Sequence, residues 1–387
     1  MIELDNTSNH GARIRVVGVG GGGGNAINSM IDRGLNGVDF VSINTDLQAL
    51  DRSTATYKIQ VGKNLTRGLG TGADSTLGHR AVEENREDIS RVLVGSDMVF
   101  IAAGMGGGTG TGGAPIVANI AKSIGALVVA IVTKPFNCEG KKRMTQAEWG
   151  IEELKKNCDT LIIVPNEKLL TLVDRKTPLL EAFELANTVL FNATRGISEL
   201  ITVPGVVNVD FADVRTVMRE MGDAIMGSGV ATGESRATEA AHNAMSNPLL
   251  EGISIAGAQG ILINITAGPS LALAEVEEAV KIIGESAGDE GTLIFGAVID
   301  ERMTDDLMVT VIATGFNRKV APKTPKTLKP LDRIPTGPSE LKVFDRPAFE
   351  RKGFSIHQNM NELERMEREK ISKEDPEKPA FLRKIMD

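Results

Sequence analysis

A chain of 387 residues, 41% hydrophobic but only 4% aromatic, is long enough for about two domains packed mainly with Ile, Val, Leu, Ala and Met. Its net charge of −8 argues against nucleic acid as a partner, because phosphate backbones are bound by basic surfaces. Cys138 and Cys158 lack CxxC spacing, four histidines are scattered, and neither a basic-then-apolar leader nor a membrane-length apolar run occurs. These features point to a cytoplasmic protein with no dedicated metal site and no direct membrane insertion.

In chain order, residues 1–11 read as a flexible N-terminus. Short β-branched runs at 13–19, 38–44, 97–103, 126–133 and 160–165 alternate with helical patterns at 24–33, 75–94, 112–124 and 141–157. Apolar strands spaced by helices predict parallel βαβ units, hence an α/β, doubly wound parallel sheet over 12–177. In such sheets ligands bind beyond the carboxyl ends of the strands. Residues 178–202 predict one long central helix without an internal breaker, and Pro178 suits its first turn. Strands near 224–231, 261–268, 292–299 and 307–314, with helices at 235–246 and 273–285, predict a second, smaller α+β domain over 203–318. From Lys319 onward 16 Lys and Arg outnumber 12 Asp and Glu, and eight of the 15 prolines fall there. That composition predicts a flexible linker over 319–374, with a short charged helical pattern at 359–374. In 375–387 the cluster Phe381, Leu382, Ile385 and Met386 has no core to join, which suits either a frayed terminus or a peptide that folds onto a partner groove.

Two junctions between strand and helix are rich in glycine. The first, GVGGGGGNA (18–26), satisfies G-x-G-x-x-G at Gly18, Gly20 and Gly23; the second is GMGGGTGTGGAP (104–115). Each presents bare backbone N–H groups at a helix N-terminus, where the dipole also favours an anion. Neither loop contains Lys or Arg and no G-x-x-x-x-G-K-[ST] occurs, which excludes a P-loop nucleotidase. A dinucleotide fold, with Asp39 or Asp46 as the ribose-binding acid, would explain one such loop. It does not explain Thr109 and Thr111, whose hydroxyls suit phosphate oxygens or a metal-bound water.

The run GGGTGTG (106–112) resembles the signature of the tubulin/FtsZ GTPase family. The segments GVGGGGGNA, SINTD (42–46), KPFNCEGKKR (134–143), NVDFADV (208–214) and PAFLRK (379–384) resemble the bacterial FtsZ members of that family, in the same order. The likeness covers about residues 12–317 and the last few residues. It implies a GTP-binding domain over 12–177, a GTPase-activating domain over 203–318, and GTP or GDP with Mg2+ as the bound species. Gly21, Gly22, Gly23 and Gly24 would line the α- and β-phosphates, and Gly107, Gly108, Thr109 and Gly110 the β- and γ-phosphates, with Thr133 at a neighbouring strand end. The loop GLGTGAD (68–74) resembles the segment that senses the γ-phosphate. Asn25 and Asn187 match positions that read the guanine edge, Phe183 would stack on the base, and Glu139 and Arg143 match ribose contacts. Asp210, Asp213 and Asn208 match the loop that acts on the nucleotide of the next subunit. Read bare, Asp210 or Asp213 is a helix N-cap or first-turn acid.

The resemblance implies head-to-tail homopolymers that form the bacterial division ring under the inner membrane. It also implies that membrane tethers such as the actin-like FtsA bind the terminal peptide. Two departures stand out. Family members often carry Asp at or just after position 187, where this chain has Asn187 and Thr188. Glu377-Lys378 stands before PAFLRK where an acidic and an apolar residue are usual.

Overall fold

Strand residues alternate between two apolar faces, and that alternation builds the first half of the molecule. In the run VVGV, Val16 faces one core with Ile27, Phe100, Val129 and Ile197, while Val17 and Val19 face another with Ile101, Val128, Ile120 and Leu154. A sheet apolar on both faces must be covered by helices on both, which is the condition for parallel pairing. The computed structural model describes residues 11–316 apart from 173–175, 204, 208, 251–254 and 289–290. The N-terminus at 1–10, the linker at 319–374 with its helical pattern at 359–374, and the peptide at 375–387 lie outside the described residues.

The strands are β1 (Ile14–Val19), β2 (Asp39–Asn44), β3 (Tyr57–Gln60), β4 (Met98–Gly104), β5 (Leu127–Lys134), β6 (Thr160–Pro165), β7 (Gly222–Ala231), β8 (Gly260–Ala267), β9 (Thr292–Ile299) and β10 (Leu307–Thr314). The helices are α1 (Gly20–Asp32), α2 (Leu47–Asp51), α3 (Lys63–Thr66), α4 (Ser75–Glu84), α5 (Arg86–Leu93), α6 (Thr109–Ser123), α7 (Lys141–Asn157), α8 (Asn166–Leu169), α9 (Leu179–Thr202), α10 (Phe211–Met218), α11 (Arg236–Met245) and α12 (Leu273–Ala287).

All ten strands form one sheet in the order β3-β2-β1-β4-β5-β6-β7-β10-β8-β9. The first six are parallel, as the βαβ pattern predicts. The second set is mixed, with β10 antiparallel to both β7 and β8. The two sets meet where β6 and β7 pair in parallel over only three positions, Thr160–Ile162 against Gly222–Ala224. A third apolar cluster, with Ala240, Ile263, Ile283 and Val311, packs α11 and α12 on the second set.

Three boundaries differ from the sequence reading. The short β3 escapes notice because the alternation in YKIQ spans only four residues, and it sits at the sheet edge. The pattern at 75–94 splits at Asn85, whose φ of −109° and ψ of 23° leave the helical region between α4 and α5. The first glycine run is not a loop ahead of a helix: α1 begins at Gly20, so its glycines form the first turn, whereas glycines 106–108 precede α6, which begins at Thr109.

Several of those glycines are required by packing. A Cβ on Gly23 would collide with the Ala102 carbonyl oxygen, one on Gly112 with the Ser75 carbonyl oxygen, and one on Gly113 would lie 2.6 Å from Val82 Cγ2. Helix α6 therefore lies against α4 and β1 at backbone distance. Gly112→Ala is predicted to cost about 1–3 kcal/mol through overpacking, read as a lowered thermal midpoint with the fold retained.

Candidate functional site

A helix begins with four backbone N–H groups that have no partner inside the helix, and proteins usually satisfy them with a side-chain cap. Among the described α-helices only two make such a side-chain cap. Asp46 accepts from the Gln48 and Ala49 amides at the start of α2, and Asp74 from the Thr76 and Leu77 amides at the start of α4. Helices α1 and α6 do not. Their N-cap residues are Val19 and Gly108, neither makes a side-chain cap, and neither first turn contains an acid. Both starts open at the carboxyl ends of β1 and β4, into one cleft of about 570 Å³, large enough for a nucleotide.

The cleft gathers residues from eight segments. From the glycine turns come Gly21, Gly22, Gly107, Gly108, Thr109 and Gly110, and Thr133 joins them from the end of β5. Asn25 (α1), Glu139 and Arg143, and Phe183 and Asn187 (α9) line the same cleft. Gly23 and Gly24 do not: Gly23 packs beneath the turn against Ala102 and Gly18, and the nearest atom to a Cβ on Gly24 is Ser42 Oγ. A Cβ on Gly21 or Gly107 would meet no protein atom within 4 Å, so these two leave open space that a ligand can approach.

The floor of the cleft at its glycine end is a chain of hydroxyls. Thr109 Oγ1 lies 2.7 Å from Thr45 Oγ1 and 3.4 Å from Thr71 Oγ1, and all three side chains are buried. The Gly106 amide donates to Thr111 Oγ1 at 2.9 Å, which assigns that hydroxyl to shaping the turn. Thr71 belongs to the loop 68–74, in which Gly68, Gly70 and Gly72 adopt φ between 58° and 80° and Ala73 sits at 63°. A non-glycine residue in the left-handed region stores strain of about 1–3 kcal/mol. The loop is therefore built against the cleft rather than being a plain surface turn. Gly108 must lack a side chain because its Cβ would overlap Thr71 Oγ1.

At the other end of the cleft, Phe183 stands edge-on to Phe136 at 5.4 Å and 84°, which fixes its ring while leaving it 40% exposed. Glu139 is held by Arg143 at 2.6 Å and by the Phe136 amide at 2.9 Å. Among the described residues, the Asn187 side chain has only a long bond, donating to Glu184 Oε1 at 3.4 Å. Thr188 points elsewhere: it accepts from Arg33 Nη2 at 2.8 Å and does not line the cleft.

Beyond the apolar lining of Ala49, Ala186 and Leu190, one polar lining residue was missed by sequence reasoning. Asn166 opens α8 directly after β6, is 4% exposed, and its Oδ1 has no hydrogen-bond partner. A buried unpaired amide oxygen is costly unless a ligand supplies the donor. Its one sequence signal was position, at the carboxyl end of a parallel strand.

The acids lie elsewhere. Asp210 occupies the N-cap position of α10 and Asp213 its first turn, both exposed, yet the Asp210 side chain makes no capping bond. Helix α10 sits at the amino ends of the central strands. Arg215 Nη2 donates to the Gly125 carbonyl just before β5, and Thr160 at the start of β6 donates to the Met218 carbonyl. Thr133 and Asn166, at the far ends of those strands, line the cleft. Eight residues of β5, roughly 25 Å of extended chain, separate the acids from it. Asn208 falls outside the described residues.

Comparison with known proteins agrees with this architecture. Residues 13–174 match the model of the Tubulin/FtsZ family, GTPase domain, and residues 222–317 that of the FtsZ family, C-terminal domain. The structure resembles FtsZ from M. jannaschii, solved as an empty dimer, with a TM-score of 0.76 and 47% identity, covering 79% of this chain and 89% of that one. A point mutant of the same M. jannaschii protein matches at TM-score 0.76 and 47% identity, with 79% and 91% covered. CetZ2 from Haloferax volcanii, solved as a GTPγS-bound protofilament, shares the fold at TM-score 0.66 and 22% identity, covering 79% and 94%.

The cleft geometry makes a separable prediction. Gly107→Ala places a methyl in the open space between the two helix starts, so GTP affinity should fall by at least about tenfold while the thermal midpoint stays put. Equilibrium binding and a melting curve on the same sample check both halves.

Proposed function

The chain belongs to the tubulin/FtsZ family of GTPases, and on that premise we propose that it is a self-assembling division-ring protein whose subunits complete one another's active sites. The observation that carries this reading is polarity. One pole of the sheet holds an uncapped phosphate cradle with no acid in either helix start; the other holds two exposed, uncommitted acids.

GTP lies across the carboxyl ends of β1, β4 and β5. Orphan amides of α1 and α6 receive the phosphates, and the Thr109 and Thr71 hydroxyls stand at the γ end. Phe183 stacks on the base, and Asn25, Asn166 and Asn187 supply donors and acceptors to its edge. Among the described residues no group of three or more His, Cys, Asp or Glu forms a metal cage. Glu139 is committed to Arg143, and Asp46 to capping α2. That donor set fits Mg2+ held chiefly by phosphate oxygens and water, with a Thr or Asp oxygen, where it neutralises phosphate charge.

Hydrolysis needs a positioned water and little covalent chemistry from the protein. Asp210 and Asp213 of one subunit orient that water when their pole meets the cleft of the next, and Asn208 lies beside them in sequence. One heterologous contact repeated head to tail makes an open filament. Exposed apolar residues stand at both poles, Leu69 on the cleft loop at 83% and Val206 on the acid loop at 73%, and such a contact would cover them. No helix among the described residues is long and apolar enough to cross a membrane, so placement under the inner membrane falls to adaptors of the FtsA type, bound by residues 375–387.

GTP turnover per subunit should rise steeply with protein concentration, and the protein should sediment with GTP but not with GDP. Asp213→Ala should still bind GTP and sediment with it while turnover per sedimented subunit drops by about 100-fold or more. Undiminished turnover in such filaments would end the divided-site reading.

A further inference from the structure

The acids act on a neighbour, so the loop that carries them must leave the body of its own subunit at a fixed angle. That loop starts where α9 ends, with the Val203 amide donating to the Glu199 carbonyl at 3.0 Å. It is then laid along β9. The Val206 amide donates to the Ala297 carbonyl at 3.0 Å, and the Ala297 amide donates back to Val207 at 3.1 Å. Gly296 admits the loop closely, since a Cβ there would lie 3.1 Å from the Val207 carbonyl oxygen and 3.2 Å from Val209 Cγ2. Helix α9 and strand β9 therefore share the loop between them, and any slip of one along the other would move it.

An ionic cluster sits at that seam, outside both the cleft and the acid loop. Arg195 Nε bonds Glu199 Oε1 at 2.7 Å along α9, and its Nη2 bonds Asp300 Oδ2 at 2.9 Å just past the end of β9. All three side chains are 12% exposed. Arg302 grips the second face of Asp300 through Nε and Nη2, each at 3.0 Å, and the Asp300 amide donates to Ala267 in β8. The Arg195 guanidinium also lies 5.8 Å from the centre of the Phe191 ring one turn up α9. The bond from Arg302 holds the Asp300 carboxyl down to about 2, so it stays charged, whereas burial raises that of Glu199. Buried ion pairs add little net stability compared with an apolar filling, but a planar guanidinium shared by two carboxylates accepts only one register.

We propose that Arg195 and Asp300 are positioning residues for hydrolysis: they lock the last two turns of α9 to the end of β9 and so fix where the acid loop of one subunit meets the nucleotide of the next. This inference rests on the divided-site reading above. Neither residue touches the cleft, so nucleotide binding and assembly should not depend on them, whereas the turnover rate should.

The test uses the full-length chain and three variants, Asp300→Asn, the double variant Arg195→Met with Glu199→Met, and Asp213→Ala as reference. The double variant removes the α9 pair together and leaves Asp300 with Arg302, so it keeps the comparison alive if Asp300→Asn folds poorly. For each, GTP affinity, sedimentation with a non-hydrolysable GTP analogue, and turnover per sedimented subunit are measured. In the two cluster variants affinity and sedimentation are expected to stay within about twofold while turnover falls about tenfold, as for small misplacements of reacting groups. If Asp213→Ala abolishes turnover but both cluster variants keep the wild-type rate, the positioning role is wrong and the divided site stands. If affinity or sedimentation falls in step with turnover, the cluster is only structural and the proposal is overturned. If Asp213→Ala itself turns over normally, the underlying reading fails.

Discussion

The rest of this molecule is arranged around two glycine-rich helix starts that open into one cleft. Backbone amides at the heads of α1 and α6 have neither a capping side chain nor an acidic neighbour, although the same chain caps α2 and α4 with aspartates. Helix-start amides that face a cleft without a competing acid suit an anion. Glycine makes this possible in two different ways. At Gly23 and Gly112 it lets helix and strand backbones meet; at Gly21 and Gly107 it leaves room for the ligand.

The parallel sheet then imposes a direction. Since β1, β4, β5 and β6 run the same way, their carboxyl ends form one pole and their amino ends the other, and α9 spans about 36 Å between them. Phe183 and Asn187 mark the start of α9 at the cleft, while Glu199 and the acid loop mark its end. A cradle at one pole and acids at the other cannot meet within one chain without refolding it. On the divided-site proposal, a second copy stacked end on end is what would bring them together, and hydrolysis would then follow assembly.

Much of this was legible in the sequence because it depends on local rules. The alternation of β-branched runs with helical patterns placed all five long parallel strands, and strand–glycine–helix order placed the cleft. What escaped depended on contacts across the fold. The edge strand Tyr57–Gln60 is too short for its alternation to register, and the Glu139 and Arg143 pairing needed a short 3-10 turn to set its register. Asn166 looked like any residue after a strand until its amide oxygen proved buried and unpaired. Arg195 and Asp300 lie 105 positions apart and carry no motif; only the packing of α9 on β9 joins them. The aspartates at 210 and 213 showed the reverse problem, since their positions suit plain helix capping and only the missing cap bond separates the two roles.

The most direct test is complementation between two disabled chains. One carries Asp213→Ala, with its cleft intact; the other carries Gly107→Asp, which sets a carboxylate where the phosphates belong but leaves the acid loop untouched. Each alone should turn over little GTP. A divided site predicts that mixing them restores turnover, because the cleft of the first meets the acids of the second. Turnover that stays at the sum of the separate rates, in mixtures that demonstrably co-sediment, would contradict it.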